Sequence, residues 1–250
     1  MKVAFAQWPW ILLLLCLIPF HAATANDDHA ALYRAVTIVT GTVEPERSRG
    51  FAACLREVLM KISGDPALAD APGVDALADR VGDFVAAFGY RDRMASIPVH
   101  DEQGTRERPH FLTVEFSQPK IDAALRSLGA KPWLDRPLLT LNVTIDNGAR
   151  RFPLLRDGAF GRDQRASLLE TAERYGLPIF FPLAQGRSAK EPVLTGTLIW
   201  QADRLEWSAE WSLGPAGDAV EWAFAAPSFD GVFRQALGRA MTRLAAGSRP

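Results

Sequence analysis

Cysteine is almost missing from this chain: its 250 residues carry two, Cys16 and Cys54. Cys16 lies in an N-terminal apolar run. If that run is removed, one thiol remains, and one thiol cannot form an intramolecular disulfide. Histidine is scarce as well, with four in the chain and three beyond the run: His29, His100 and His110. The sequence has no G-x-S-x-G elbow, no H-E-x-x-H, no phosphate-binding loop and no dinucleotide glycine pattern. An excess of either charge is also lacking, at 28 basic against 29 acidic residues. That balance excludes the basic surplus of a nucleic-acid binder and of a polybasic membrane binder. Internal repeats and low-complexity stretches are absent.

What is present begins with a leader. Met1-Lys2 is a short basic start, residues 8–20 are almost wholly apolar, and Ala23-Thr24-Ala25 offers small residues where a signal peptidase reads. Residues 1–25 therefore read as a secretory signal peptide, with the mature chain starting near Asn26 in the periplasm or outside the cell. A retained anchor would need about 20 uninterrupted apolar residues; Gln7, Pro9 and Pro19 break this run. Leu15 before Cys16 does not suit lipidation, which wants a small residue there. No stable transmembrane span is expected after cleavage. The remaining 225 residues suffice for one large domain or two small ones.

Hydrophobic periodicity predicts two modules. In the first, residues 32–39 are rich in β-branched side chains and read as a strand. Residues 48–62 read as a helix with Phe51, Leu55, Val58, Leu59 and Ile62 on one stripe, Ser48 as its cap and Gly64 as its stop. Cys54 lies at the edge of that stripe, as a small core residue rather than a nucleophile. Residues 74–88 keep helical spacing, weakened at Gly82. Strands follow at 90–99 and 110–116, flanking a charged loop. Ser117 then opens a helix closed by Gly129. A sheet with helices on one face suits this β-α-α-β-β-α order. The segment 131–137, with two prolines, reads as a joint.

The second module reads β-α-β-β-β-β-α. Residues 138–146 alternate cleanly, 150–162 are irregular and basic, and Asp163 can cap a helix running to Tyr175. Residues 205–213 alternate without error: Leu205, Trp207, Ala209, Trp211 and Leu213 on one face, Glu206, Ser208, Glu210 and Ser212 on the other. That is a half-buried antiparallel strand. With 193–201 before it and 220–224 after it, an antiparallel Trp-rich meander results. The last helix, opened by Pro227-Ser228, supplies the apolar stripe that covers it. The expected boundaries are residues 26–130 and 131–250, and strand 138–146 could belong to either module.

Chemistry-bearing sets are thin. His100 and His110 flank the charged loop with Asp101, Glu102 and Glu107 between them, so a hairpin could bring both rings to one metal. Their ten-residue separation across a glycine-containing loop matches zinc-site spacings weakly. Glu206, Glu210 and Glu221 could gather on one sheet face, which more simply reads as an acidic, water-facing surface. The 150–165 stretch carries Arg150, Arg151, Arg156, Arg162 and Arg165 among Phe152, Leu154, Leu155 and Phe160. Arginine forks suit phosphates and carboxylates, so this stretch is a candidate surface for an acidic partner or an anionic envelope component. Trp133 and Arg136 in the joint are candidates for a pocket between the modules.

Several motifs occur in an order similar to that of the bacterial secreted proteins grouped as domain of unknown function 2066. They are Leu32-Tyr-Arg-Ala35, Lys61-Ile-Ser-Gly64, Phe88-Gly-Tyr90, Trp133-Leu-Asp-Arg-Pro137, Tyr175-Gly-Leu-Pro178 and Val193-Leu-Thr-Gly196. That resemblance implies no activity and no catalytic residues. By fold analogy the first module resembles the ring-building or KH-like modules of secretion proteins. The second resembles small α/β domains of envelope factors that bind other envelope proteins. The expectation is a periplasmic α+β protein without a cofactor, acting as a non-catalytic binding or assembly factor on an envelope partner. The alternatives are a metal-assisted hydrolase using His100 and His110, or a lipid or glycan binder at the module interface.

Overall fold

The computed structural model describes residues 29–96, 107–184, 192–215 and 217–248. Residues 1–25, read as a leader, and His100 with most of its loop lie outside the described residues.

Strand β1 (Arg34–Thr40) holds five consecutive β-branched residues and runs antiparallel to β3 (Pro109–Phe116), which pairs in turn with β2 (Val85–Asp92). The order in this three-stranded sheet is β1-β3-β2. Helices α1 (Glu46–Ser63) and α3 (Gln118–Ser127) cover one face, where Leu55, Val58, Leu112, Val114, Ile121 and Leu125 form a dry core. Gly64 ends α1 in the left-handed region (φ 69°), which a residue with a Cβ enters only at a cost. Cys54 is buried in this core, and burial pushes its thiol up to about 12. Cys54 should therefore resist a thiol-reactive maleimide in the native chain, its labelling appearing only at the urea midpoint of unfolding.

Helix 74–88 of the sequence reading does not form as one piece. Helix α2 (Val74–Ala78) stops early, a 3₁₀ turn covers Val81–Asp83, and the chain enters β2 at Val85. The apolar residues stay inside, since Val81 and Phe84 are buried. Pairing with β3 satisfies more backbone groups than another helical turn interrupted by Gly82. The expected strand at 90–99 accordingly begins five residues sooner. Ser48 also misses its expected role as a cap. Helix α1 begins at Glu46, and the Ser48 hydroxyl donates to Glu44 Oε2 at 2.7 Å.

The second sheet contains β4 (Leu139–Asp146), β5 (Arg151–Pro153), β6 (Ile179–Phe180), β7 (Val193–Gln201), β8 (Glu206–Leu213) and β9 (Val220–Ala226). Its order is β5-β4-β7-β8-β9, with β6 against the start of β4. Strand β4 therefore belongs to the second sheet, where it lies parallel to β7. Parallel strands need a crossover, and α4 (Arg162–Tyr175) lies in it. Strand β5 was hidden in the stretch read as irregular. The meander β7-β8-β9 is antiparallel, and α5 (Phe229–Gly247) covers it. Ser228 caps α5 by accepting from the Gly231 amide at 3.2 Å. Asp163 lies inside the first turn of α4, where Gly161 is the capping residue.

Trp200, Trp207, Trp211 and Trp222 line the inner side of the meander. Trp200 opposes Trp207, and Trp211 opposes Trp222. Trp211 stands edge-on to Phe233 of α5 at 6.3 Å and lies against Gly196 of β7, where a Cβ would come within 2.3 Å of the ring. The glycine is what lets the indole lie flat on its neighbour strand. No helix among the described residues is long and apolar enough to cross a membrane.

Candidate functional site

The joint is where the two cores meet. The Trp133 amide donates to the Ile62 carbonyl at 2.7 Å, and its indole Nε1 donates to Ser248 Oγ at 3.0 Å. Its ring packs where Gly64 and Ala245 leave room. Met60 of α1 contributes to the second core rather than the first.

Arg136 does more. Its Nη1 donates to the carbonyls of Tyr175 and Gly176, both at 2.8 Å. Its Nη2 donates to the Lys61 carbonyl and, at 3.0 Å, to that of Trp133. Lys61 and Tyr175 lie in the last turns of α1 and α4, so one guanidinium serves the carbonyl ends of two helices from different modules. A cation there is favoured by both helix dipoles. Burial pushes Arg136 down to about 10, so it stays charged at neutral pH. It also stacks over the Trp133 ring at 4.5 Å.

Beside this junction opens a cleft of about 1120 Å³. The outer face of β1 with Arg91 and Phe111 forms its floor, Leu134 to Arg136 one end, and Glu170, Glu173 and Arg174 of α4 the opposite wall. Arg136 reaches the cleft; Trp133 does not line it and packs away from it.

Glu57 and Lys61, one helical turn apart on α1, are the buried charged pair of the cleft. Their side chains are 15% and 5% exposed, and their charged atoms lie 3.7 Å apart. Lys61 Nζ donates to the Arg34 carbonyl at 2.8 Å, and Arg174 Nε approaches Glu57 at 3.4 Å. Burial dominates both titrations: it raises the Glu57 carboxyl and lowers the Lys61 ammonium, against the pull of each on the other. An acid raised on folding stabilises the fold most below its unfolded value of about 4.3, and that contribution is lost as pH rises through the folded value. Glu57→Gln should therefore show a smaller loss of stability than the parent as pH rises above about 4.3, read by urea unfolding at a series of pH values. Replacing both partners, Glu57→Leu with Lys61→Met, should be far less harmful than Glu57→Leu alone, which leaves an ammonium buried without its carboxylate.

The remaining candidates are scattered. His110 Nδ1 lies 2.8 Å from the Arg108 carbonyl oxygen, and its ring stands edge-on to Tyr90. Asp92, beside it in register, is engaged by Arg108 at 3.0 Å. Among the described residues no group of three His, Cys, Asp or Glu gathers as a metal site. In the basic stretch, Arg165 is used internally, donating to the carbonyls of Phe160 and Gly158. Arg150 stacks on Phe160 at 3.9 Å. Arg151, Arg156 and Arg162 are exposed. Glu206 pairs with Arg204 at 3.5 Å, while Glu210 and Glu221 share the outer face of the second sheet. The Glu57–Lys61 pair was missed from sequence, although two opposite charges at i, i+4 beside an apolar stripe are the available signal.

Comparison with curated proteins gives no match. A crystal structure of an uncharacterized protein is similar at 14% identity over 46% of this chain and 92% of that one, with a TM-score of 0.25. The resemblance to domain of unknown function 2066 is overturned by comparison with family models, which finds a different family. Over residues 27–134, ending within the joint, the chain is similar instead to the family described as domain of unknown function (DUF8605).

Proposed function

We propose that this protein is an exported, non-catalytic binding or assembly factor of the cell envelope, which holds an envelope partner protein in the cleft between its sheets. One observation carries the reading. The cleft takes its walls from both modules, yet its most buried charged groups are committed to structure: Arg136 to four carbonyls, Lys61 to Glu57 and the Arg34 carbonyl. Such a surface can recognise without being poised to transfer protons. Export rests on the leader.

The test is site-specific photocrosslinking in intact cells. A photoreactive residue at Glu170, on the cleft wall, should capture one defined envelope protein. The same group at Leu205, on an exposed turn away from the cleft, should not. Capture at neither position overturns the proposal. The captured chain should also carry an N-terminus near Asn26 by mass spectrometry.

A further inference from the structure

Among the described residues the first sheet has helices on one face only, and its outer face carries a short apolar strip. Val36 and Ile38 are 45% and 51% exposed there. Register sets Ile38 beside Phe111 and Val36 beside Thr113, with Gly89 and Arg91 next across β3. A Cβ on Gly89 would meet nothing within 4 Å, so this face is open.

Strand β1 is also an edge, and its backbone polarity can be read. The Gly41 amide donates to the Arg108 carbonyl, so odd-numbered positions of β1 turn toward β3. The Arg34 carbonyl is met from the other side by Lys61. Backbone groups alternate along an antiparallel strand. The amide and carbonyl of Val36 and Ile38 therefore point away from the sheet, along the cleft. Edges are usually blunted by proline, lysine or a bulge. Edge strand β2 has a register irregularity between Val85 and Ala87, and β1 has none of these devices.

Charge on the sheet face selects the occupant, the acidic Asp135, Glu170 and Glu173 lining other parts of the cleft. Arg34 precedes the strip on β1, while Arg91 and Arg93 stack on Phe111 at 4.4 and 5.1 Å. None of the three makes an ion pair with another described residue, although Glu115 stands opposite Arg34 in register.

We propose that the free edge and outer face of β1 bind an extended segment of a partner polypeptide by strand addition, with apolar and acidic side chains together on the one face of that segment that continues the strip. This rests on the binding reading above and adds the mode of recognition. Main-chain hydrogen bonds to Val36 and Ile38 supply affinity, and the apolar strip with its arginines selects the side chains.

The probe is a fluorescein-labelled peptide of the length of β1, seven residues, with aspartate, valine, valine and aspartate at every second position and serine between them, so that all four share one face. It should raise anisotropy on titration with the mature chain. Three changes should each weaken binding at least about tenfold, or 1.4 kcal/mol: N-methylation of alternate peptide amides, lysine in place of aspartate, and Val36→Pro. Proline at 36 removes an amide that faces away from β3, so the ladder keeps its bonds. If that variant does not fold, Arg91→Glu with Arg93→Glu, which leaves β1 untouched, takes its place. No binding of the parent peptide, or equal binding of the N-methylated one, overturns strand addition. Concentration-dependent self-association that is lost in Val36→Pro would make a second copy the occupant, and also overturns it. Envelope capture at Glu170 alongside failed peptide arms leaves the binding reading standing and removes only this inference.

Discussion

Arg136→Ala should lower the stability of the whole chain by about 3 kcal/mol or more, because it leaves several buried carbonyls without a donor at about 1–3 kcal/mol each. The loss falls on both modules together. Lys61 O belongs to α1 of the first, Tyr175 O and Gly176 O to the end of α4 of the second, and Trp133 O to the joint. Urea unfolding followed by tryptophan emission should show the midpoint falling. Because the four tryptophans beyond the joint all lie in the second sheet, a second probe is needed for the first, and Cys54 accessibility provides it. Both should shift to lower urea. Arg136→Lys should recover only a small part, since an ammonium cannot reach four carbonyls with the geometry of a planar fork. An unchanged midpoint in Arg136→Ala would show that solvent or other donors replace the guanidinium at no cost.

Trp211→Ala should cost about 3–5 kcal/mol, the range for removing a buried aromatic side chain. Trp211 is 2% exposed, between Gly196 and the rings of α5. Its partner in the argument is Gly196→Ala, which forces a methyl against the indole and should cost about 1–3 kcal/mol by overpacking. The two must be coupled. In a Trp211→Ala background the methyl at 196 has room, so Gly196→Ala should be close to neutral or even favourable there. A double-mutant cycle measures this directly, and strictly additive effects would refute the flat-packed geometry. Trp211→Phe should be the mildest change at this site. It keeps most of the ring and removes an indole N–H that is buried without an acceptor among the described residues.

How much was legible in the sequence varies by element. The alternation of Glu206 to Leu213 is a statement about β8 that needs no coordinates, since four polar and four apolar residues in strict order can bury only one face; Leu205, read onto the same face, instead lies in the preceding turn, 69% exposed at φ 52°. The stripe of α5 and the cap at Ser228 are local in the same way. Residues 74–88 had helical spacing and still became a helix fragment, a turn and a strand, because β3 offers Val85 to Asp92 a ladder that no local pattern announces. Strand β5 was invisible for the opposite reason. Its three residues, Arg-Phe-Pro, are too few to show a period, and only Ile145 opposite Phe152 gives them a place.

The candidate site was less legible still. The arginines of 150–165 stood out by composition, but two of them, Arg150 and Arg165, hold their own loop together. Arg136 read, with Trp133, as a candidate for a pocket between the modules, and nothing in a linear order of residues says that two helix ends will converge on it. The same holds for the free edge of β1. Its β-branched run predicts a strand, while the absence of a neighbour on one side is a property of the sheet order β1-β3-β2.

By itself, then, the order of side chains determined the two-module α+β character, the Trp-rich meander and the helix that closes it, since each depends on contacts a few residues long or on a single buried face. The assembled molecule decided that β4 joins the second sheet, that α1 and α4 share one guanidinium, and that a cleft lies between them. Those outcomes depend on groups as far apart in the chain as Lys61 and Arg136, or Trp133 and Ser248. Interactions at such separations form only when both cores are in place, and no local propensity encodes them.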